Sequence, residues 1–360
     1  MRILLALFLF AAPGWGQSKI ETGEINGARF RIDVPEKWNG GLVMYCHGYS
    51  PAPENFDNPK PNPVLDVFTK EGYAVAQSGY AAGGWAIQEA VQDTEALRRY
   101  FSHKYGAPKE TYVTGHSMGG FLTMTLLETF PNAYDGGLAL CGPLGPASWF
   151  MSRRVFDMRV VFDYLFPGAL PNPSKIPADY VMSAAKNETI EKLLDSKPAQ
   201  AAVFRRWTGL RNNKEAAGTV VFFTYILKDL QERGGGNPFD NRNTIYEGTD
   251  DDNALNDQVT RYKSEPRAAA YLERYYTPSG HLMRPMLAIH TTYDPLVPPW
   301  VTNMYSTLAE RADSDQFFVQ QYVKHAGHCA IQPAEIARGF QQLRQWTAVG
   351  TRPAAGGAGQ

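Results

Sequence analysis

Apolar and polar positions alternate in two rhythms along this chain, and the change between them marks its organisation. From about residue 20 to 143, short apolar runs bounded by Gly, Pro or Asp read as β-strands: 42–48 (LVMYCHG), 73–80 (YAVAQSGY), 110–117 (ETYVTGHS) and 134–142 (YDGGLALCG). Helical stretches lie between them at 64–72, 86–104 and 118–130. In the second, Ile87, Val91, Thr94, Leu97 and Phe101 recur at three- and four-residue steps and make one apolar face. Strands alternating with helices predict an α/β fold, with a mostly parallel sheet covered on both faces.

The alternation stops near Gly145, and to about Arg284 the pattern is helical and irregular. Val155, Met158, Phe162 and Leu165 form one apolar face. A helix over 178–196 ends before Pro198, and another over 214–236 ends in a glycine run suited to a helix C-terminus. Strands resume at 286–294 and 316–323, followed by a last helix over 331–346. The residues 351–360 lack apolar periodicity and read as a loose tail. The pattern thus predicts an α/β core built from 17–143 and 285–350. A helical insertion, 144–284, interrupts it and sits as a cap over the end of the sheet where strands run into sites.

Composition narrows the function classes. With 44% hydrophobic and 12% aromatic residues among 360, the chain can bury a large core and is not a disordered segment. A formal net charge of -1 without a basic stripe argues against nucleic acid or an anionic membrane as the main partner. The first 16 residues read as a signal peptide: Arg2, an apolar stretch from Ile3 to Ala12, then the small residues Gly14 and Gly16 before Gln17. That stretch is too short to span a bilayer, and nothing later supplies the ~20 apolar residues a span needs. The expectation is a secreted or periplasmic protein. Export permits one disulfide among Cys46, Cys141 and Cys329 and leaves one thiol, and their spacing fits no zinc site.

The chemistry is concentrated in three places. Gly115-His116-Ser117-Met118-Gly119-Gly120 matches G-x-S-x-G, follows a predicted strand and opens a predicted helix. Glycines flank a strained strand-to-helix turn there, and the helix N-terminus offers N–H groups and positive partial charge. A serine hydroxyl needs a base. His328, on a turn after the last strand and preceded by Gly327, is preferred over His325. Asp294, directly after the preceding strand, orients the imidazole. The order Ser, Asp, His is that of α/β-hydrolases. The Met118 amide supplies one oxyanion donor. The second comes from the loop after the early strand ending in His47-Gly48, with the Tyr49 amide preferred, Gly48 next and His47 structural.

Three weaker signals surround these. The loop Gly79–Trp85 contains no phosphate-loop lysine and offers Trp85 to a substrate at the pocket mouth, unless it is merely a flexible loop. Trp149, Phe150 and the aromatics at 156, 162, 164 and 166 either roof an aromatic or apolar substrate, with Trp149 in contact, or form the core of the cap. The acidic run Asp250, Asp251 and Asp252 lacks the spacing of a calcium loop and reads as solvated.

Together, the strand ending in His47-Gly48, the GHSMGG turn, the Asp-Pro-Leu-Val-Pro segment from Asp294 and the Gly327-His328 turn resemble the α/β-hydrolase superfamily from about residue 25 to 347, the insertion excepted. The ordered set is similar to secreted bacterial serine esterases with a helical cap. His328-Cys329 distantly resembles the tannase and feruloyl esterase group, in which a Cys after the histidine bonds to one before the serine. Here His116 occupies that position, so that bridge cannot form, and Cys141 and Cys46 remain as partners for Cys329. The resemblance implies a serine esterase working through an acyl-enzyme on a small or polymer-derived ester, without metal or organic cofactor. Peptide or amide cleavage by the same residues is the alternative, and a binding protein that has lost catalysis is the rival from another class.

Overall fold

The predicted strand runs become β3 (Leu42–Cys46), β4 (Ala74–Ser78), β5 (Thr111–His116), β6 (Gly136–Leu140), β7 (Met286–Tyr293) and β8 (Phe318–Ala326) in a computed structural model that describes residues 18–57 and 62–357. The expected signal peptide, 1–16, lies outside the described residues. These six strands pair in parallel in the order β4, β3, β5, β6, β7, β8. Two further strands, β1 (Lys19–Ile25) and β2 (Ala28–Val34), form a hairpin that extends the sheet antiparallel beside β4. Their turn is Asn26-Gly27, both at positive φ, which matches the twist of a two-residue hairpin.

Both faces of the sheet are covered, which is why the central strands read as continuous apolar runs. Leu42, Met44 and Cys46 of β3 face one core, while Val43 and Tyr45 face the other. The second core holds Phe68 of α1 (Pro63–Lys70) and Phe340, Leu343 and Trp346 of the last helix (Pro333–Val349). The first holds α2 (Ile87–Tyr105) and α3 (Met118–Thr129) and is continuous with the helices of the insertion.

Between β6 and β7, a π-helical stretch (Ser148–Phe156) runs into α4 (Asp157–Leu165). Five more helices follow: α5 (Ala184–Ser196), α6 (Pro198–Thr208), α7 (Asn213–Gly234), α8 (Asp252–Gln258) and α9 (Pro266–Tyr276). The aromatics expected there divide: Phe150, Phe156, Phe162 and Phe166 are buried, whereas Trp149 is 44% exposed. Pro198 does not merely end a helix; it begins α6, because a proline at the first helical position lacks only an N–H that would have no partner. The acidic run is used locally: Asp251 caps α8 through the Ala254 N–H, and Asp252 accepts from the Gly248 and Thr249 N–H groups. After β7 come α10 (Pro299–Arg311), β8 and α11, the last helix already described.

Of the segment expected to be a loose tail, the described residues 351–357 are instead laid along the sheet. β9 (Gly356–Gly357) pairs parallel with β8, Gln321 donates to the Ala354 carbonyl, and Arg352 donates to the carbonyls of Asp315 and Phe318. These contacts use the tail's backbone and one guanidinium, so no apolar periodicity is needed to make them.

Candidate active site

Ser117 stands at the carboxyl end of β5 and caps α3, with φ of 55° and ψ of -118°, a conformation side chains rarely adopt. Its N–H is tied to the Leu140 carbonyl at 2.9 Å. The surrounding glycines are required by contact. A Cβ on Gly115 would stand 2.3 Å from the Cys46 carbonyl oxygen, one on Gly119 would stand 2.0 Å from the same atom, and one on Gly120 would lie 2.7 Å from the Leu140 oxygen. The turn can close between β3 and β6 only without those carbons.

His328 reaches Ser117 across the sheet. Its Nε2 lies 2.8 Å from Ser117 Oγ, and its Nδ1 lies 2.7 Å from Asp294 Oδ2. The turn that presents it contains Gly327 at φ 125°, whose N–H donates to the Tyr293 carbonyl at 2.9 Å. Immediately after it, Cys329 is disulfide-bonded to Cys141 at the end of β6, while Cys46 is a free buried thiol. His325 faces away and bonds Glu335 Oε1 at 3.0 Å.

Asp294 is buried, and its Oδ1 accepts the Leu296 and Val297 N–H groups at 2.9 Å each. Burial alone pushes such a carboxyl up. The hydrogen bond and charge of His328, the Val297 N–H and the charge of His290 outweigh it, so the group lies below its ordinary value and is ionised at neutral pH. His290, 3.7 Å away, is lowered by burial, and its Nε2–H donates to the Val297 carbonyl at 2.8 Å. His116, beside the nucleophile, is pushed down to about 4 by burial and by the charge of His328.

The loop expected to supply the second oxyanion donor lies beside Ser117. A Cβ on Gly48 would stand 3.3 Å from the His116 oxygen and 3.6 Å from Ser117 Cβ, so the loop carrying Gly48 and Tyr49 runs directly beside the serine. Among the described residues neither the Met118 nor the Tyr49 N–H has a protein acceptor. His47 is structural here: it is buried, bonds the Gly48 carbonyl at 2.7 Å and stacks on Tyr80 at 3.9 Å.

The substrate-contact residues separate. Trp85 is only 3% exposed, which corrects its expected place at an open pocket mouth. Its ring packs among Tyr49, Phe150 and Tyr276, its backbone N–H donates to Asp229, and its carbonyl accepts from Tyr276 Oη at 2.6 Å. Nor is its loop slack, because Arg233 ties the Gly83 carbonyl to Asp229 and Glu89. Trp149 packs edge-on to Trp300 with centroids 6.4 Å apart. Trp300 lies in the first turn of α10, beyond the Asp294 loop, and no local pattern joins it to Trp149.

Comparison with known proteins gives the family. The sequence profile of the alpha/beta hydrolase family matches residues 43–338. An o-phthalyl amidase from Xanthobacter agilis is 27% identical over 124 residues, 33% of this chain and 26% of the amidase, so the match spans about a quarter of that relative. The esterase Pf2001 of Pyrococcus furiosus superimposes with a TM-score of 0.48 at 14% identity over 92% of this chain and 90% of its own. Pyrococcus horikoshii acylaminoacyl peptidase does so with a TM-score of 0.49 at 10% identity over 94% of this chain and 43% of its own. Among the described residues no helix is long and apolar enough to cross a membrane, and no group of three His, Cys, Asp or Glu is placed to hold a metal.

Proposed function

The chain belongs to the alpha/beta hydrolase family, and from that premise we propose that it is an exported serine hydrolase that cleaves a carboxylic ester through an acyl-enzyme on Ser117. The observation that carries the reading is the continuous hydrogen-bonded line Ser117–His328–Asp294, at 2.8 and 2.7 Å. Ser117 Oγ attacks the ester carbonyl carbon as its proton passes to His328 Nε2, and the ionised Asp294 stabilises the imidazolium. The Met118 and Tyr49 N–H groups hold the developing oxyanion. Collapse expels the alcohol, which takes the proton from His328. Water then attacks the acyl carbon, gives its proton to His328, and the acid leaves as Ser117 regains its hydrogen.

The helices of 144–284 serve as the cap, and the exposed Trp149 meets an aromatic or apolar part of the substrate at its edge. Export is supported by the signal-like first 16 residues and by the Cys141–Cys329 bond, which persists in oxidising compartments. A second reading, amide cleavage by the same residues, is favoured by the similarity to the o-phthalyl amidase.

The test is hydrolysis of a short-chain p-nitrophenyl ester and of the matching p-nitroanilide by the protein and by Ser117→Ala. Ester turnover that disappears in the variant supports the reading, and anilide turnover of comparable kcat/KM moves it to an amidase. Ester turnover that survives in Ser117→Ala sinks both.

A further inference from the structure

Arg154 lies in the π-helical stretch at the base of the insertion and is buried, with 6% of its surface exposed. Among the described residues no carboxylate pairs with it. Its guanidinium donates to the Thr208 carbonyl at 2.7 Å and to the Pro295 carbonyl at 2.5 Å, while Nε is buried without a partner. Burial draws its pKa down to about 10, against the charges of Asp294 and Tyr293, so it remains a cation at neutral pH. A buried cation without a carboxylate bonded to it is costly, and apart from the Phe223 ring, whose centroid lies 5.9 Å from the guanidinium carbon, the partners of Arg154 are backbone carbonyls.

Its two acceptors explain its place. Thr208 is the last residue of α6, where backbone carbonyls lack helical partners and carry negative partial charge. Pro295 directly follows Asp294. The same guanidinium therefore bridges the C-terminal end of an insertion helix and the loop that carries the aspartate. On the other side of Asp294, Tyr293 Oη donates to Glu215 Oε2 of α7 at 2.6 Å, and the Arg211 guanidinium lies 3.5 Å from the Tyr293 ring centroid. Both chain neighbours of Asp294 are thus held by the insertion. The carboxylate itself is held by its own loop and by His328.

We propose that Arg154 is a positioning residue for Asp294, which by clamping the Pro295 carbonyl to the end of α6 makes the insertion part of the apparatus that aligns His328. The proposal rests on Ser117, His328 and Asp294 working together as described above. A misalignment of about 1 Å at such a site costs roughly 100-fold in rate. A lysine at this position keeps the charge but carries its donors on a single nitrogen and cannot span both carbonyls.

The experiment is steady-state ester hydrolysis by Arg154→Met, Arg154→Lys, Asp294→Ala and the double variant Arg154→Met/Asp294→Ala, with thermal melts of each. Arg154→Met is expected to lower kcat about 10- to 100-fold with KM changed less than about threefold, and Arg154→Lys to leave most of that loss in place because it cannot join the two carbonyls. Once Asp294 is gone, Arg154→Met should lower kcat no further, because an effect exerted through Asp294 has nothing left to act on. A purely structural arginine would instead lower kcat by the same factor in both backgrounds, and that result overturns the proposal. So does wild-type kcat in Arg154→Met, or a loss confined to KM. Should Arg154→Met fail to fold, a folded Arg154→Lys with unchanged kcat overturns it equally. If Ser117→Ala retains activity, the hydrolase reading fails first; if it does not and Arg154→Met is normal, only this inference fails.

Discussion

Gly119 shows how little freedom the nucleophile's turn has. A methyl group there would meet the Cys46 carbonyl oxygen at 2.0 Å, and that oxygen belongs to a strand end that cannot move without displacing the loop of Gly48 and Tyr49. Gly119→Ala is therefore expected to cost about 1–3 kcal/mol of stability and to lower kcat, read from the urea midpoint and from ester turnover. An unchanged midpoint with normal turnover would mean that the turn is softer than its contacts indicate. Ser117, Asp294 and His328, which the structure brings into one hydrogen-bonded line, each stand just after a strand, and glycines mark the turns of Ser117 and His328, so their positions could be read locally. Trp85 was misplaced because its burial depends on Tyr49, Phe150 and Tyr276, partners that no local pattern brings together.

At the scale of elements, α4 is joined to the loop before α8 through one carboxyl group. Asp157 accepts from Tyr246 Oη at 2.9 Å, and burial pushes its pKa up to about 6, against the Tyr246 bond and the charges of Arg153 and Arg261. The folded protein thus binds this proton more tightly than the unfolded chain does. The stability this contributes is present below about pH 4, and it is lost as pH rises to about 6. Asp157→Asn should therefore flatten the dependence of unfolding free energy on pH between about 4 and 6. At pH 7 it should stabilise the fold by about 1–3 kcal/mol, since a shift of one unit corresponds to about 1.4 kcal/mol. Denaturant titrations at pH 4, 5, 6 and 7 decide it, and parallel curves for the two proteins would contradict it. The core strands were readable as elements because they are apolar on both faces. The β1–β2 hairpin was passed over although Asn26-Gly27 is a strong turn signal, because β1 is largely exposed and lacks an apolar run. α10 was hidden behind three prolines, one of which only starts it.

Over the whole molecule, the division into an α/β core and a helical segment from 144 to 284 followed from one change of rhythm near Gly145. What that change left unreadable was how the segment grips the core. Beside the shared apolar core, those contacts include hydrogen bonds between residues 78 to 191 positions apart, such as Tyr293 with Glu215, Arg233 with Gly83 and Tyr276 with Trp85. Periodicity carries no trace of pairs at that separation. The Cys141–Cys329 bond, with its separation of 188 residues, has a consequence of a different kind. Its ring encloses the entire helical segment and Asp294, whereas Ser117 lies outside it. A protease that clips the chain once within 144–284 therefore leaves the serine on one fragment and its histidine and aspartate on the other, still joined by the bond beside His328. Such a clipped protein should run as one species without reductant and as two with it. It should remain a working two-chain enzyme until the thiols are freed.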